Sequence, residues 1–136
     1  MSQIRDVMTE NVKSAEPSTS VREAARLMAG EDIGPVPVVE GERLVGIVTD
    51  RDLVVRVIAE GKDPDSTTVG EIVSADVVTV SPDQDLDEAL KLLARHQVRR
   101  LPVVENDRLV GIVAQADVAR QGDDSKTGET VEQISR

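Results

Sequence analysis

The sequence predicts an α/β chain (α+β in some schemes) built from two β-α-β-β-α units in tandem, on three observations. Residues 37–48, Pro-Val-Val-Glu-Gly-Glu-Arg-Leu-Val-Gly-Ile-Val, recur 65 positions later as Pro-Val-Val-Glu-Asn-Asp-Arg-Leu-Val-Gly-Ile-Val, with ten of twelve positions identical. The same register sets Pro17 over Pro82, Glu23-Ala24 over Glu88-Ala89 and Asp52 over Asp117, so whole units repeat rather than one hairpin. Apolar residues at helical spacing alternate with near-continuous runs of Val, Ile and Leu, as expected of strands covered on both faces.

Each unit opens with a short amphipathic segment, 4–8 or 69–73, followed by a β-prone stretch near 11–14 or 76–80 that stops at Pro17 or Pro82. Val21, Ala24, Ala25 and Met28 then fall on one helical face, with Ser18, Thr19 and Ser20 as N-cap candidates and Gly30 as the expected stop. Leu86, Ala89, Leu90 and Leu93 repeat that face after Ser81-Pro82-Asp83. Strands at 35–39 with 44–49, and at 100–104 with 109–114, flank turns suited to hairpins at Gly41 and at Asn106-Asp107. A second helix starts at Asp50 and again near Gln115. The expected organisation is one module over 1–136, with repeats at 4–60 and 69–120, a polar linker at 61–68 containing Pro64, and a polar tail at 121–136, mobile or forming one frayed turn.

A chain of 136 residues, 39% of them hydrophobic, can bury an ordinary core without metals or disulfides. Phe, Tyr and Trp are absent, so a bound ring would rest on aliphatic side chains; cysteine is absent, which excludes disulfides, thiol catalysis and a Cys zinc site. No apolar run is long enough to span a bilayer and the N-terminus has no signal-peptide pattern, so a cytoplasmic protein without a membrane partner is expected. A net charge of −10 repels polyanions, which argues against nucleic acid but allows a small anion held by two or three local cations.

The most specific motif is Gly46-Ile47-Val48-Thr49-Asp50-Arg51-Asp52, with a second copy at Gly111-Ile112-Val113-Ala114-Gln115-Ala116-Asp117. This Gly-hydrophobic-x-Ser/Thr-x-x-Asp pattern, in tandem units of this order over residues 4–120, resembles the cystathionine-β-synthase (CBS) domain pair, or Bateman module, of small stand-alone bacterial proteins. The resemblance implies two repeats related by pseudo-two-fold symmetry and packed through their sheets, with clefts between them for adenosine-containing ligands. It implies a first cleft of Thr49, Arg51 and Asp52 closed by Val73, Val78, Val98 and Arg99. A second would use Asp117 with Arg99 and Arg100, closed by Met8, Lys13, Ile33, Gly34 and Pro35. A carboxylate can accept from both ribose hydroxyls, a threonine hydroxyl can donate to phosphate, and a helix start can offer free N–H groups.

The copies differ at the site. Ala114 removes the hydroxyl, a loss of about 0.5–1.5 kcal/mol net. Arg99-Arg100, in a cationic stretch with Arg95 and His96, replace Gly34-Pro35. Unequal affinities are therefore expected.

Each of these residues also has a structural reading. Thr49 and Asp52 form an ordinary capping box, a role that Asp117 lacks a partner for, and an arginine pair is by default a solvated charge or an ion pair at a subunit contact. His96 is alone, so no histidine metal cluster exists, and the alternating acids at Asp50 and Asp52 and at Asp83, Asp85 and Asp87 suit helix starts better than a cation site. No nucleophile-base pair or phosphate loop is visible, so an enzyme is not expected. The expected function is regulatory sensing of AMP, ADP, ATP, NAD or S-adenosylmethionine, with no required cofactor and with an unknown protein partner. The alternative is a ligand-free interaction module. A homodimer is expected through Val54, Val55, Val57 and Ile58, too apolar a run for a solvated helix.

Overall fold

The computed structural model describes residues 2–121, so the expected tail lies outside the described residues apart from Gln121. The chain divides into two compact units. The first is contiguous, Lys13–Val77; the second joins Met1–Val12 to the chain from Val78 onward.

In the first unit, helix α1 (Val21–Glu31) is capped by the Ser20 hydroxyl, which accepts from the Glu23 N–H at 3.1 Å. Gly30 lies inside this helix rather than ending it, and the left-handed stop is Asp32, with φ 54°. Strands β1 (Pro35–Glu40) and β2 (Arg43–Thr49) pair antiparallel, with the register slipping between Val38 and Val39. Helix α2 (Asp50–Leu53) continues as a π-helical turn, Val54–Ile58, in which the Ala59 N–H reaches the Val54 carbonyl at 2.8 Å. The second unit repeats the plan with α3 (Leu86–His96), β3 (Arg100–Glu105), β4 (Arg108–Ala114) and α4 (Gln115–Gln121), and the register slips at the corresponding place, between Val103 and Val104.

The hairpins reverse by different means. Gly41 alone takes positive φ (66°) in the first, at the leading central position that a type II′ turn reserves for glycine. Asn106 and Asp107 both take it in the second (54° and 65°), as a type I′ turn requires.

The expected leading strand of each unit shrinks to one residue. Ala15 donates to the Pro37 carbonyl (2.9 Å) and accepts from Val39 (2.8 Å), a parallel bridge that Val80 repeats with Pro102 and Val104. Pro17 and Pro82 lie two residues on, and proline has no N–H with which to prolong a ladder. The N-cap of α3 is Asp85, without a side-chain bond, while Ser81 closes the preceding turn by donating to Gln84 Oε1 at 2.7 Å from its N–H.

Two aliphatic clusters form the cores. The first gathers Val21, Ala24, Met28, Val36, Val38, Val48, Val57, Val69 and Ile72; the second gathers Ile4, Val80, Ala89, Leu90, Leu93, Leu101, Val103, Val113 and Val118. Ala25, expected in the core, is exposed. The opening segment 4–8 packs with the second unit, where Ile4 is fully buried, whereas 69–73 packs with the first through Val69 and Ile72. Both segments begin as 3-10 turns held by a carboxylate: Asp6 accepts from the Gln3 N–H (2.9 Å) and Glu71 from the Thr68 N–H (2.8 Å). The linker wraps the start of α1, where Arg22 forms a two-bonded ion pair with Asp65 and donates its N–H to the Pro64 carbonyl at 3.0 Å.

Candidate functional site

In each unit the motif straddles the end of a strand and the first turn of a helix, and its glycine lets the opening segment approach. Ile47 and Ser74 exchange backbone hydrogen bonds (3.0 and 3.2 Å) directly beside Gly46, where a Cβ would stand 2.2 Å from the Ser74 carbonyl oxygen and 2.8 Å from Val73 Cγ2. In the second unit Ile112 and Thr9 make the same exchange (2.8 and 2.9 Å), and a Cβ on Gly111 would meet Met8 Sδ at 2.8 Å. Val73 and Met8 thus occupy matching places.

The first-unit motif is closed on itself. Asp52 Oδ2 accepts from the Thr49 N–H (2.8 Å) and hydroxyl (3.0 Å), and the Thr49 oxygen accepts from the Asp52 N–H (3.2 Å). A hydroxyl has one proton, so the Thr49 proton expected to serve phosphate is committed to Asp52. The free helix N–H groups expected here are likewise taken: Asp50 donates to the Gly34 carbonyl (3.1 Å) and Arg51 to Asp50 Oδ1 (2.9 Å). Arg56 lies against the other side of the carboxylate, Nε 3.8 Å from Asp52 Oδ1, and its Nη1 donates to the Ile72 carbonyl at 3.0 Å.

In the second unit Asp117 does the capping work it was expected to lack a partner for. Its Oδ2 accepts from the Ala114 N–H at 3.0 Å, although no threonine hydroxyl is present. Asp117 is buried and Asp52 half-buried. The loss of the hydroxyl leaves the carboxylate in the same seat, because the seat is a backbone N–H.

The strand-start residues lie beside these turns. Pro35 stands opposite Thr49 in the ladder, and a Cβ on Gly34 would sit 3.2 Å from Asp50 Oδ1. Arg100 stands opposite Ala114, and the Arg99 carbonyl accepts from the Gln115 N–H at 2.9 Å. The first unit therefore brings together Ile33, Gly34, Pro35, Thr49, Arg51, Asp52 and Val73, and holds Lys13, exposed, at its start. The second brings together Met8, Val98, Arg99, Arg100 and Asp117, and Val78 packs partly buried against its core. Ile33 and Val73 pack against the core of the first unit, and Met8 against that of the second, so these three have structural work as well. Two residues near Asp52 are not among the expected ligand contacts: Asp50, assigned to the helix start, and Arg56. Asp50 could have been found from its mismatch with Gln115, but the π turn that sets the position of Arg56 leaves no comparable signal.

The CBS domain family profile matches residues 4–59 and 69–123. The chain is 41% identical over 136 residues to the CBS domain-containing protein YhcV of Bacillus subtilis, covering 99% of this chain and 96% of that one. It is 39% identical over 121 residues to Hypoxic response protein 1 of Mycobacterium tuberculosis, covering 88% and 85%. Among solved structures it is similar to Hypoxic Response Protein I with two coordinated zinc ions (TM-score 0.80, 38% identity, 90% and 100% covered). Among the described residues here, no group of three or more His, Cys, Asp or Glu side chains could hold a metal ion. It is also similar to the CBS domain pair of protein MJ0100 in complex with 5′-methylthioadenosine and S-adenosyl-L-methionine (TM-score 0.74, 28% identity, 89% and 95% covered). No described helix is long and apolar enough to cross a membrane. With its motif built twice on matching hairpins and the profile matching both halves, the chain belongs to the CBS domain family, as a tandem pair.

Proposed function

We propose that the chain is a regulatory module that binds adenosine-containing ligands at its motif turns and reports their presence to a protein partner. The observation that carries this reading is the pair of matched carboxylates, Asp52 and Asp117, each held through Oδ2 by the N–H of the last strand residue. A carboxylate fixed in this way is preorganised to accept from vicinal ribose hydroxyls, with little side-chain entropy left to lose on binding. The adenosyl ligands of the MJ0100 pair support the ligand class. Occupancy acts by population shift, through a difference in ligand affinity between conformations of the module.

The test is calorimetry and thermal shift on the full chain with AMP, ADP, ATP, NAD and S-adenosylmethionine. Binding that weakens in Asp52→Ala or Asp117→Ala supports the reading, and no binding of any of them at millimolar concentration ends it.

A second reading, self-association, is favoured by α2 and its π turn. Val54, Val55 and Ile58 are 58%, 46% and 63% exposed on the same turns that bury Val57 completely. Three exposed aliphatics within five residues suit a second copy of the chain, and light scattering on the wild type and a Val54→Ser/Ile58→Ser variant tests it.

A further inference from the structure

We propose that the two motif turns divide adenosyl ligands by charge: the Asp117 turn takes those carrying phosphate, and the Asp52 turn takes those whose non-nucleoside part is neutral or cationic, a thioether or a sulfonium. The division rests on the adenosyl-binding reading above and on a charge reversal at matched positions. In the second unit the strand start holds the backbones of Arg99 and Arg100, both exposed residues, against the turn that carries Asp117, and the first helical residue there is the neutral Gln115. In the first unit the same positions are Gly34 and Pro35, which carry no charge, and the first helical residue is Asp50, whose carboxylate lies against Gly34. Where the second unit offers two cations, the first offers bare backbone with an anion pressed on it.

The remaining charges do not cancel this contrast. Arg56 is committed to the Ile72 carbonyl and lies beside Asp52. Arg51 is exposed, and its charge together with that of Arg56 only offsets Asp50 and Asp52, whereas Arg99 and Arg100 outnumber Asp117 at the second turn. The backbone N–H groups of the first turn of α2 are occupied, as is the Thr49 proton, so a phosphate arriving there finds no unspent backbone N–H among residues 50–52 and meets two carboxylates that offset the two guanidiniums. A sulfonium arriving at the same place gains from those carboxylates instead. At the second unit an arginine pair matches phosphate oxygens in fork geometry, which a lone ammonium or a backbone turn does not.

The experiment measures ATP, 5′-methylthioadenosine and S-adenosylmethionine binding to the full chain by calorimetry, alone and in competition. Wild type is expected to bind ATP and S-adenosylmethionine together, with ATP affinity falling at high salt and that of the uncharged 5′-methylthioadenosine holding. Arg99→Gln/Arg100→Gln is expected to weaken ATP at least about tenfold, charge-assisted bonds being the strong ones. Asp50→Gln, which copies Gln115 into the first unit, is expected to weaken S-adenosylmethionine relative to 5′-methylthioadenosine, which has the same nucleoside and no sulfonium charge. Arg95→Gln, in the same basic stretch but on α3, controls for general surface charge and is expected to leave ATP affinity within about twofold. If ATP and S-adenosylmethionine compete for one place, or if ATP affinity ignores both arginines, the division is wrong while adenosyl binding stands. If no adenosyl ligand binds, both fall together.

Discussion

Replacing Gly46 by alanine tests whether the close approach of the opening segment holds the first unit together. The added Cβ would lie 2.2 Å from the Ser74 carbonyl oxygen and 2.9 Å from its carbonyl carbon, and neither can swing aside as a side-chain tip could. Segment 72–74 must therefore move outward, which strains the packing by about 1–3 kcal/mol. The same shift loosens two hydrogen bonds, Ile47 to Ser74 and its return at 3.0 and 3.2 Å, each worth about 0.5–1.5 kcal/mol net. The expected destabilisation is about 2–6 kcal/mol, read by urea unfolding, with amide exchange at Ile47 and Ser74 accelerated before the rest of the unit. Gly111→Ala should cost less, about 1–3 kcal/mol, because its nearest obstacle is the flexible Met8 thioether and the backbone oxygen it meets, that of Thr9, stands at 2.9 Å rather than 2.2 Å. Gly30→Ala is the control: it sits in α1 with nothing within 4 Å of the new Cβ, and should stabilise by up to about 1 kcal/mol. A Gly46→Ala protein within about 0.5 kcal/mol of wild type, with unchanged exchange at Ser74, would refute the reasoning.

Arg56→Gln, the residue aligned at Gln121, removes the tie to the Ile72 carbonyl and the charge beside Asp52; exchange at amides 72–74 should quicken, with a stability loss of about 0.5–1.5 kcal/mol by denaturation. The Asp65 carboxyl, held below the ordinary carboxylate range by its hydrogen bonds from Arg22, should titrate in an NMR pH series lower than in Arg22→Gln. A depressed folded-state pKa means that the linkage to stability is present above the unfolded value and is lost as pH falls through the folded one, so Arg22→Gln should change stability at neutral pH more than at strongly acid pH. Val54→Ser/Ile58→Ser should lower the self-association constant measured by sedimentation without lowering the unfolding midpoint of the monomer, since both side chains are exposed and Val57 keeps the buried contact.

The hairpins, both long helices and the core face of each were legible because period and turn chemistry agree: Gly41 and Asn106-Asp107 fall between matched apolar runs, and Val21, Ala24 and Met28 do face the core. The leading strands were not, because a β-prone composition at 11–14 says nothing about how many residues find a partner, and only Ala15 does. Gly30 misled as a stop because the left-handed turn falls two residues on, at Asp32, where a polar side chain tolerates that conformation. At the site, the Thr49–Asp52 capping box was readable from spacing. The seat of Asp117 was not, because it is made by a backbone N–H that every residue but proline supplies. Nor could spacing tell that the Thr49 proton and the first-turn N–H groups are spent within the chain.

The joining of residues 2–12 to the unit that begins at Val78 bears on how the molecule is made. The first unit is contiguous and has all its parts once residue 77 has been synthesised, whereas Ile4 belongs to a core whose other members are still untranslated at that moment. Residues 2–12 must therefore wait, and holding their ends apart costs little extra, since closure entropy grows only with the logarithm of the intervening length. A fusion or truncation at the amino terminus should consequently damage the half translated last, and spare the half that follows it immediately in the chain.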